Sequence, residues 1–221
     1  MKIIGINGSP RGQESMTRRL VAAVLRGAEE AGAETEFVDA AALRIRPCSA
    51  CTLCYQTGEC PKQDDFAALY EKMLGADGVV FGSPNYIDNV SAQMKLVFDR
   101  MADAIHCQLF AGKYGCAVAT AGGAGADDIA AYLNHVLQVL GADTVGAASV
   151  EMVSGPEAFA AAEEKAFALG KDLVAAIETR REYPDQAALH AEVAAGMKAL
   201  VFANKDVWKH QYGHWTSQGQ N

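Results

Sequence analysis

Five short apolar runs alternate with amphipathic segments along most of the chain, and this alternation constrains the fold more than any other feature. The runs are Lys2 to Asn7, Glu36 to Asp39, Gly78 to Gly82, Gly115 to Thr120 and a fifth near Val145 to Met152. Between them, apolar residues recur at helical spacing. The sets are Leu20, Val21, Val24, Leu25 and Ala28; Phe66, Leu69, Tyr70, Met73 and Leu74; Met94, Val97, Phe98 and Met101; and Ile129, Leu133, Val136, Leu137 and Leu140. Asp64-Asp65 offers an N-cap to the second helix, and a long last helix is expected from about Pro156 to Arg180. Strands that are apolar throughout are buried on both faces, and right-handed crossovers lay helices above and below them. The expectation is an α/β three-layer sandwich around a five-stranded parallel sheet.

Residues 1-181 are expected to form one domain, with a cysteine-rich loop at 47-61. Residues 182-221 fall outside the repeat and are expected as a C-terminal helical extension. Pro184-Asp185 opens a helix to about Asn204, and an aromatic tail from Trp208 to Trp215 follows, which either packs back onto the sheet's helices or, the preferred reading, lies across a neighbouring subunit of a homodimer or homotetramer. The formal net charge is −8, which disfavours nucleic acid and anionic membranes as partners. No apolar run approaches the roughly 18 residues of a membrane span, and Met1 to Gly5 is too short for a secretory signal core. A soluble cytoplasmic protein is the expectation.

In an open parallel sheet, ligands bind beyond the carboxyl ends of the strands, where the strand order reverses. After the first strand comes Asn7 to Thr17, in which Ser9, Arg11, Ser15, Met16 and Thr17 offer hydroxyls, a cation and amides to a phosphate at a helix start. It lacks the Gly-Lys-Ser/Thr ending of a nucleoside-triphosphate loop, and Gly5, Gly8 and Gly12 do not fit a dinucleotide fingerprint. A simple turn and helix cap is the plainer alternative. Two further loops leave the same edge: Ser83 to Asn89, with Pro84, Asn85, Tyr86, Ile87 and Asn89, and Thr120 to Gly125, with Ala121, Gly122 and Gly123. Together they suit a flat ring system, clamped by amides and shielded by Tyr86 and Ile87, although Tyr86 also reads as an aromatic covering the core.

Cys48, Cys51, Cys54 and Cys60 form the pattern C-x2-C-x2-C-x5-C-P. Two x2 steps bring three thiolates around one small volume, and the longer excursion through Gly58 lets the fourth close on it, as an iron–sulfur cubane requires. Zinc sites more often use two separated C-x2-C knuckles. A reactive or disulfide-forming thiol set, and cysteines left over from a cluster-bearing ancestor, are the remaining readings. Cys116 reads as a core residue, and Cys107 as a lone thiol. His210 and His214 lack a third ligand nearby and read as tail packing.

Gly8-Ser9-Pro10-Arg11, Gly82-Ser83-Pro84-Asn85-Tyr86 and Val90-Ser91-Ala92-Gln93-Met94-Lys95 resemble the NADPH-dependent FMN reductase branch of the flavodoxin-like proteins, over roughly residues 1 to 180. The resemblance implies a sheet ordered 2-1-3-4-5. It also implies FMN, with Ser9, Arg11, Ser15, Met16 and Thr17 at its phosphate and ribityl chain, and Pro84, Asn85, Tyr86, Ile87, Asn89 and Thr120 to Gly123 at its ring. With the cysteine loop added, the chain is similar to the iron–sulfur flavoproteins, which implies a [4Fe-4S] cluster on the four cysteines. The implied activity is electron transfer between a reduced donor, a ferredoxin or NAD(P)H, and a small-molecule or protein acceptor. Flavin chemistry needs no nucleophilic side chain, so no catalytic base is assigned. An NAD(P)H-dependent FMN, quinone or azo-compound reductase without a cluster is the alternative, and a thiol-based redox-sensing module a third reading.

Overall fold

A computed structural model of the chain describes residues 1–218. Strands β1 (Lys2–Asn7), β2 (Glu34–Asp39), β3 (Gly78–Pro84), β4 (Tyr114–Ala121) and β5 (Asp143–Glu151) form one parallel sheet in the order β2-β1-β3-β4-β5, as expected. Every residue of β3 and β4 is buried, which explains their uninterrupted apolar sequence. Their side chains alternate between two cores: Val79, Phe81, Ala117 and Ala119 face one, and Val80, Cys116 and Val118 face the other. Cys116 is therefore a core residue.

Helices α1 (Met16–Glu30) and α7 (Gly155–Thr179) cover one face of the sheet. Gly27 and Gly170 let them touch, because a Cβ at either position would meet the other helix's backbone at 2.0 and 1.9 Å. On the opposite face lie α3 (Phe66–Leu74), α4 (Ala92–Asp99), α5 (Ala102–Cys107) and α6 (Ala126–Val139). The expected single helix through Met101 is in fact two, interrupted at Arg100 and Met101. The interruption coincides with the Arg100 guanidinium turning inward to bond Asp64 and the Arg46 carbonyl. The cysteine loop contains one helical turn, α2 (Leu53–Thr57). Asp64 and Asp65 also act differently from the simple cap expected. Asp64 accepts the Phe66 N–H, while both carboxylates accept amides of the preceding chain, Asp65 from Arg44 and Asp64 from Arg46.

The C-terminal extension forms α8 (Pro184–Ala203) and α9 (Lys209–Gln218). Its aromatic part takes the less favoured of the two expected placements and folds onto its own chain. Trp208 stacks on His106 with ring centroids 5.2 Å apart and packs against Tyr55 at 4.6 Å. Trp215 Nε1 donates to the His106 carbonyl at 2.9 Å. Gln186 completes the open edge of β5: its Oε1 accepts from Thr144 N at 2.9 Å and its Nε2 donates to Thr144 O at 2.8 Å, as a further strand would. Among the described residues, no helix is long and apolar enough to cross a membrane.

Candidate functional site

β1, β3 and β4 lie side by side, so the loops after them emerge together: Asn7 pairs with Gly82, and Pro84 with Thr120. Specific bonds lock the three loops into one unit. Gly8 N donates to Gly82 O at 2.7 Å, and the hydroxyls of Thr17 and Thr120 share a buried bond of 2.7 Å. Asn85 N donates to Thr120 O at 2.7 Å. Ser91, the N-cap of α4, ties the first loop to the second by donating from Oγ to Gly8 O at 2.5 Å and from N to Ser83 Oγ at 2.9 Å. All of the residues predicted for a flavin thus sit at this edge, on the three loops or on the strand ends and helix start that flank them.

Their roles are more divided than the sequence suggested. Ser15 is the N-cap of α1, and its Oγ accepts from Arg18 N at 3.0 Å, so for a phosphate it leaves the amides of Met16 and Thr17, orphan donors of the first turn. Ser9 Oγ accepts from Arg11 N at 3.4 Å, shaping the loop from within. The Arg11 side chain is exposed and without a partner among the described residues, whereas Arg18 and Arg19 are committed to Asp39 and Glu163. Arg11 is therefore the cation free to meet a phosphate.

The ring side has the features expected of a surface built to be covered. Asn85 donates to Ala124 O at 2.9 Å, but its own Oδ1 is buried without a partner. Ile87 is 100% exposed, and both it and Asp88 hold left-handed backbone, φ 52° and 54°. A β-branched residue in that region is strained, and strain of this kind gathers at binding sites. Tyr86 is exposed beside it, and the Tyr86 amide bonds Asn89 O at 2.8 Å to close the turn. At Gly122 and Gly123 an added Cβ would meet nothing, so the third loop faces open space. An unpartnered acceptor, open glycine backbone and exposed apolar side chains fit a flat, partly polar ring such as isoalloxazine.

The four predicted cysteines do converge: Cys48, Cys51, Cys54 and Cys60 line one cavity, with Asp99, Arg100 and Ala102 from the α4–α5 junction opposite them. Left-handed backbone at Ala50, Thr52 and Gly58 folds the loop inward. Among the described residues the four sulfurs do not form a group within 4.8 Å of one another. Zinc, with bonds of about 2.3 Å, would need sulfurs closer than that. Burial pushes the Cys54 thiol up to about 11, helped by the charges of Asp103, Cys60 and Cys51, so four thiolates here require a cationic centre. The exposed Cys51 thiol shifts down, chiefly through a backbone hydrogen bond from Leu53. Four sulfurs around one cavity, with a buried guanidinium in its wall, form a donor set that suits an iron–sulfur cubane.

The loop leaves β2 at the carboxyl edge and meets the C-terminal end of α4, where Asp99 and Arg100 share its cavity. Ser91, at the other end of that eight-residue helix, touches the phosphate loop. The cysteine cavity thus lies about 12 Å, the length of α4, below the flavin loops.

Several residues that matter here were missed in the sequence. Arg100 and Asp64 form a buried ion pair, with 1% and 4% of their side chains exposed. The only sign of it was a cation one helical step from Val97 on an otherwise apolar face. His210, read as having no third ligand nearby, lies within 4.8 Å of Asp103 and Cys107. These groups satisfy one another: Gln211 Nε2 and the Cys107 thiol donate to Asp103 Oδ1, and His106 Nδ1 bonds Gln211 Oε1. The His210 ring also sits where a Cβ on Gly58 would come within 2.5 Å of it. This network joins α9 to α5 and to the cysteine loop.

Residues 1–157 match the family described as NADPH-dependent FMN reductase. An iron–sulfur flavoprotein of Archaeoglobus fulgidus is 34% identical over 99% of both chains. An iron–sulfur flavoprotein of Methanocaldococcus jannaschii is 46% identical over 45% of this chain, and the matched segment spans about half of that relative, 51%. Among solved structures, an NAD(P)H:quinone oxidoreductase from Methanothermobacter marburgensis shares the fold with a TM-score of 0.60 at 19% identity, over 78% of this chain and 98% of that one.

Proposed function

From a chain that belongs to the NADPH-dependent FMN reductase family and aligns along its whole length with an iron–sulfur flavoprotein, we infer an FMN-dependent oxidoreductase that also carries a [4Fe-4S] cluster on Cys48, Cys51, Cys54 and Cys60. The flavin-dependent oxidoreductase activity follows from the family. The cluster is our reading, and the observation that carries it is the convergence of four cysteines on one cavity with a buried arginine in its wall. Bound FMN would accept two electrons as a hydride and release them singly, and a cluster would carry them one at a time.

The chain's own residues supply grip, orientation and exclusion of water. The Met16 and Thr17 amides and the Arg11 guanidinium would hold the phosphate, with the α1 N-terminus favouring its charge. Asn85 would offer its unpartnered Oδ1 to a ring N–H, Gly122 and Gly123 would let backbone approach the ring, and Tyr86 and Ile87 would shield it. The electron donor in this reading is a ferredoxin or NAD(P)H, and the acceptor a small molecule or a redox protein.

The cysteine cavity lies a helix length from the flavin loops of its own chain, and α8 leaves Leu200 and Phe202 exposed, with Val207 exposed just beyond it. We read the working form as a homodimer or homotetramer in which the cluster faces a neighbouring subunit's flavin; an obligate monomer with full electron transfer would contradict this. Iron and acid-labile sulfide, measured after anaerobic purification, test the cluster: about four of each per chain supports it, and their absence with NAD(P)H turnover intact leaves the simple reductase.

A further inference from the structure

Arg100 is fixed on almost every side. Its Nη1 donates to Asp64 Oδ2 at 2.8 Å and to Arg46 O at 2.9 Å, its Nη2 donates to Asp64 Oδ1 at 3.2 Å, and its carbon lies 4.6 Å from the Phe66 ring centroid. Its Nε, however, is sealed from water and has no partner. A guanidinium offers five N–H donors in a rigid fork, so fixing the two Nη groups also fixes where the Nε hydrogen points. Arg100 is part of the wall of the cavity that holds the four cysteines. Of those, Cys60 shares that lining and lies near enough for its charge to favour the charged guanidinium, while no hydrogen bond to Nε is formed. A donor buried without an acceptor calls for an explanation, and a sulfur drawn onto a cluster beside it provides one.

We propose that Arg100 sets the reduction potential of the cysteine-held cluster by presenting its buried Nε–H to the sulfur of Cys60, and that Asp64 determines how much of the arginine's charge the cluster experiences. The proposal rests on the cluster reading above. Reduction adds one electron to the cluster and its thiolates. A hydrogen bond to sulfur and a nearby uncompensated cation both stabilise that added charge, while a paired carboxylate weakens the cation's share. Arg100 should therefore favour the reduced form and Asp64 oppose it. A purely structural clamp on the loop ends, which the Arg46 and Asp64 bonds would also provide, predicts no such pair of opposite effects.

The test is a dithionite redox titration, followed by visible and electron paramagnetic resonance spectra, of anaerobically purified protein with iron and sulfide quantified. It compares the wild type with Arg100→Met, Arg100→Lys and Asp64→Asn. R100M should lower the equilibrium constant for cluster reduction about tenfold, which is 59 mV for one electron. R100K, keeping charge but losing the planar fork, should fall between R100M and the wild type, and D64N should shift the other way. The flavin potential should stay put, since Arg100 lies at the far end of α4 from the flavin loops. Should R100M not fold, R100K and D64N still carry the comparison. Variants with full iron content that titrate at the wild-type potential, or that all shift in one direction, overturn the proposal. A wild type without iron and sulfide overturns the cluster reading and this inference with it.

Discussion

Replacing Ser91 by alanine removes a single buried hydroxyl with two functions. It caps α4 by accepting from Met94 N at 3.2 Å, and it donates to Gly8 O at 2.5 Å, fixing the start of the phosphate loop. Loss of a serine N-cap costs about 1 kcal/mol. Stranding a buried carbonyl such as that of Gly8 costs about 1–3 kcal/mol. Because one hydroxyl serves both, the costs overlap, and S91A should destabilise the flavin-free protein by roughly 2–3 kcal/mol. At about 2–4 °C per kcal/mol for a chain of this size, the melting temperature should fall by about 4–12 °C. Gly8 would also be freer to move away from Gly82, so the loop meets FMN less well placed; a positioning loss of about 1.4 kcal/mol corresponds to roughly tenfold weaker binding. Urea unfolding followed by circular dichroism, and FMN titration followed by flavin fluorescence, measure the two effects. S91A that unfolds within about 0.5 kcal/mol of the wild type and binds FMN unchanged would refute the claim that this hydroxyl holds the loop.

Other perturbations have equally definite outcomes. Burial alone would raise the Asp64 carboxyl, but Arg100 and the amides of Arg46 and Phe66 outweigh it and hold it at about 2. A carboxylate depressed in the folded state contributes stability above its unfolded value of about 4 and loses it as the pH falls towards 2, here about 2 kcal/mol; acid unfolding curves should show this slope in the wild type and not in Asp64→Asn. Ile87→Gly should stabilise the flavin-free protein by about 1 kcal/mol, by relieving left-handed strain at a side chain that buries nothing, and weaken FMN binding, as calorimetric melting and flavin titration would show. Gly58→Ala places a Cβ 2.5 Å from the His210 ring at φ 81°, and should cost about 1–3 kcal/mol and expose α9 to limited proteolysis. Cys54→Ser should reduce iron to background while leaving FMN content unchanged, measured by metal and flavin analysis.

The sheet was legible because β3 and β4 are buried on both faces and so are written as unbroken apolar runs. The flavin loops were legible because glycine, hydroxyl and proline residues cluster where a strand gives way to a helix. What the sequence hid was the division of labour within them: nothing in the order of residues distinguishes Ser15, spent on capping α1, from Arg11, left free. The cysteine spacing announced convergence, but the wall opposite came from Arg100 and Asp64, brought together across 36 positions by tertiary packing alone. Which of its two placements the aromatic tail takes was hidden for a similar reason. Exposed tryptophans suit an interface between subunits, and only the position of His106 and Tyr55 shows that Trp208 is already covered by its own chain.

The most direct measurement is the titration of flavin-free protein with FMN, following the quenching of flavin fluorescence, alongside Arg11→Ala. The account predicts saturation at one FMN per chain in the wild type and markedly weaker binding in R11A, with the fold unchanged by circular dichroism. Flavin fluorescence that ignores the wild-type protein would contradict the assignment of this strand edge, whatever the four thiols hold.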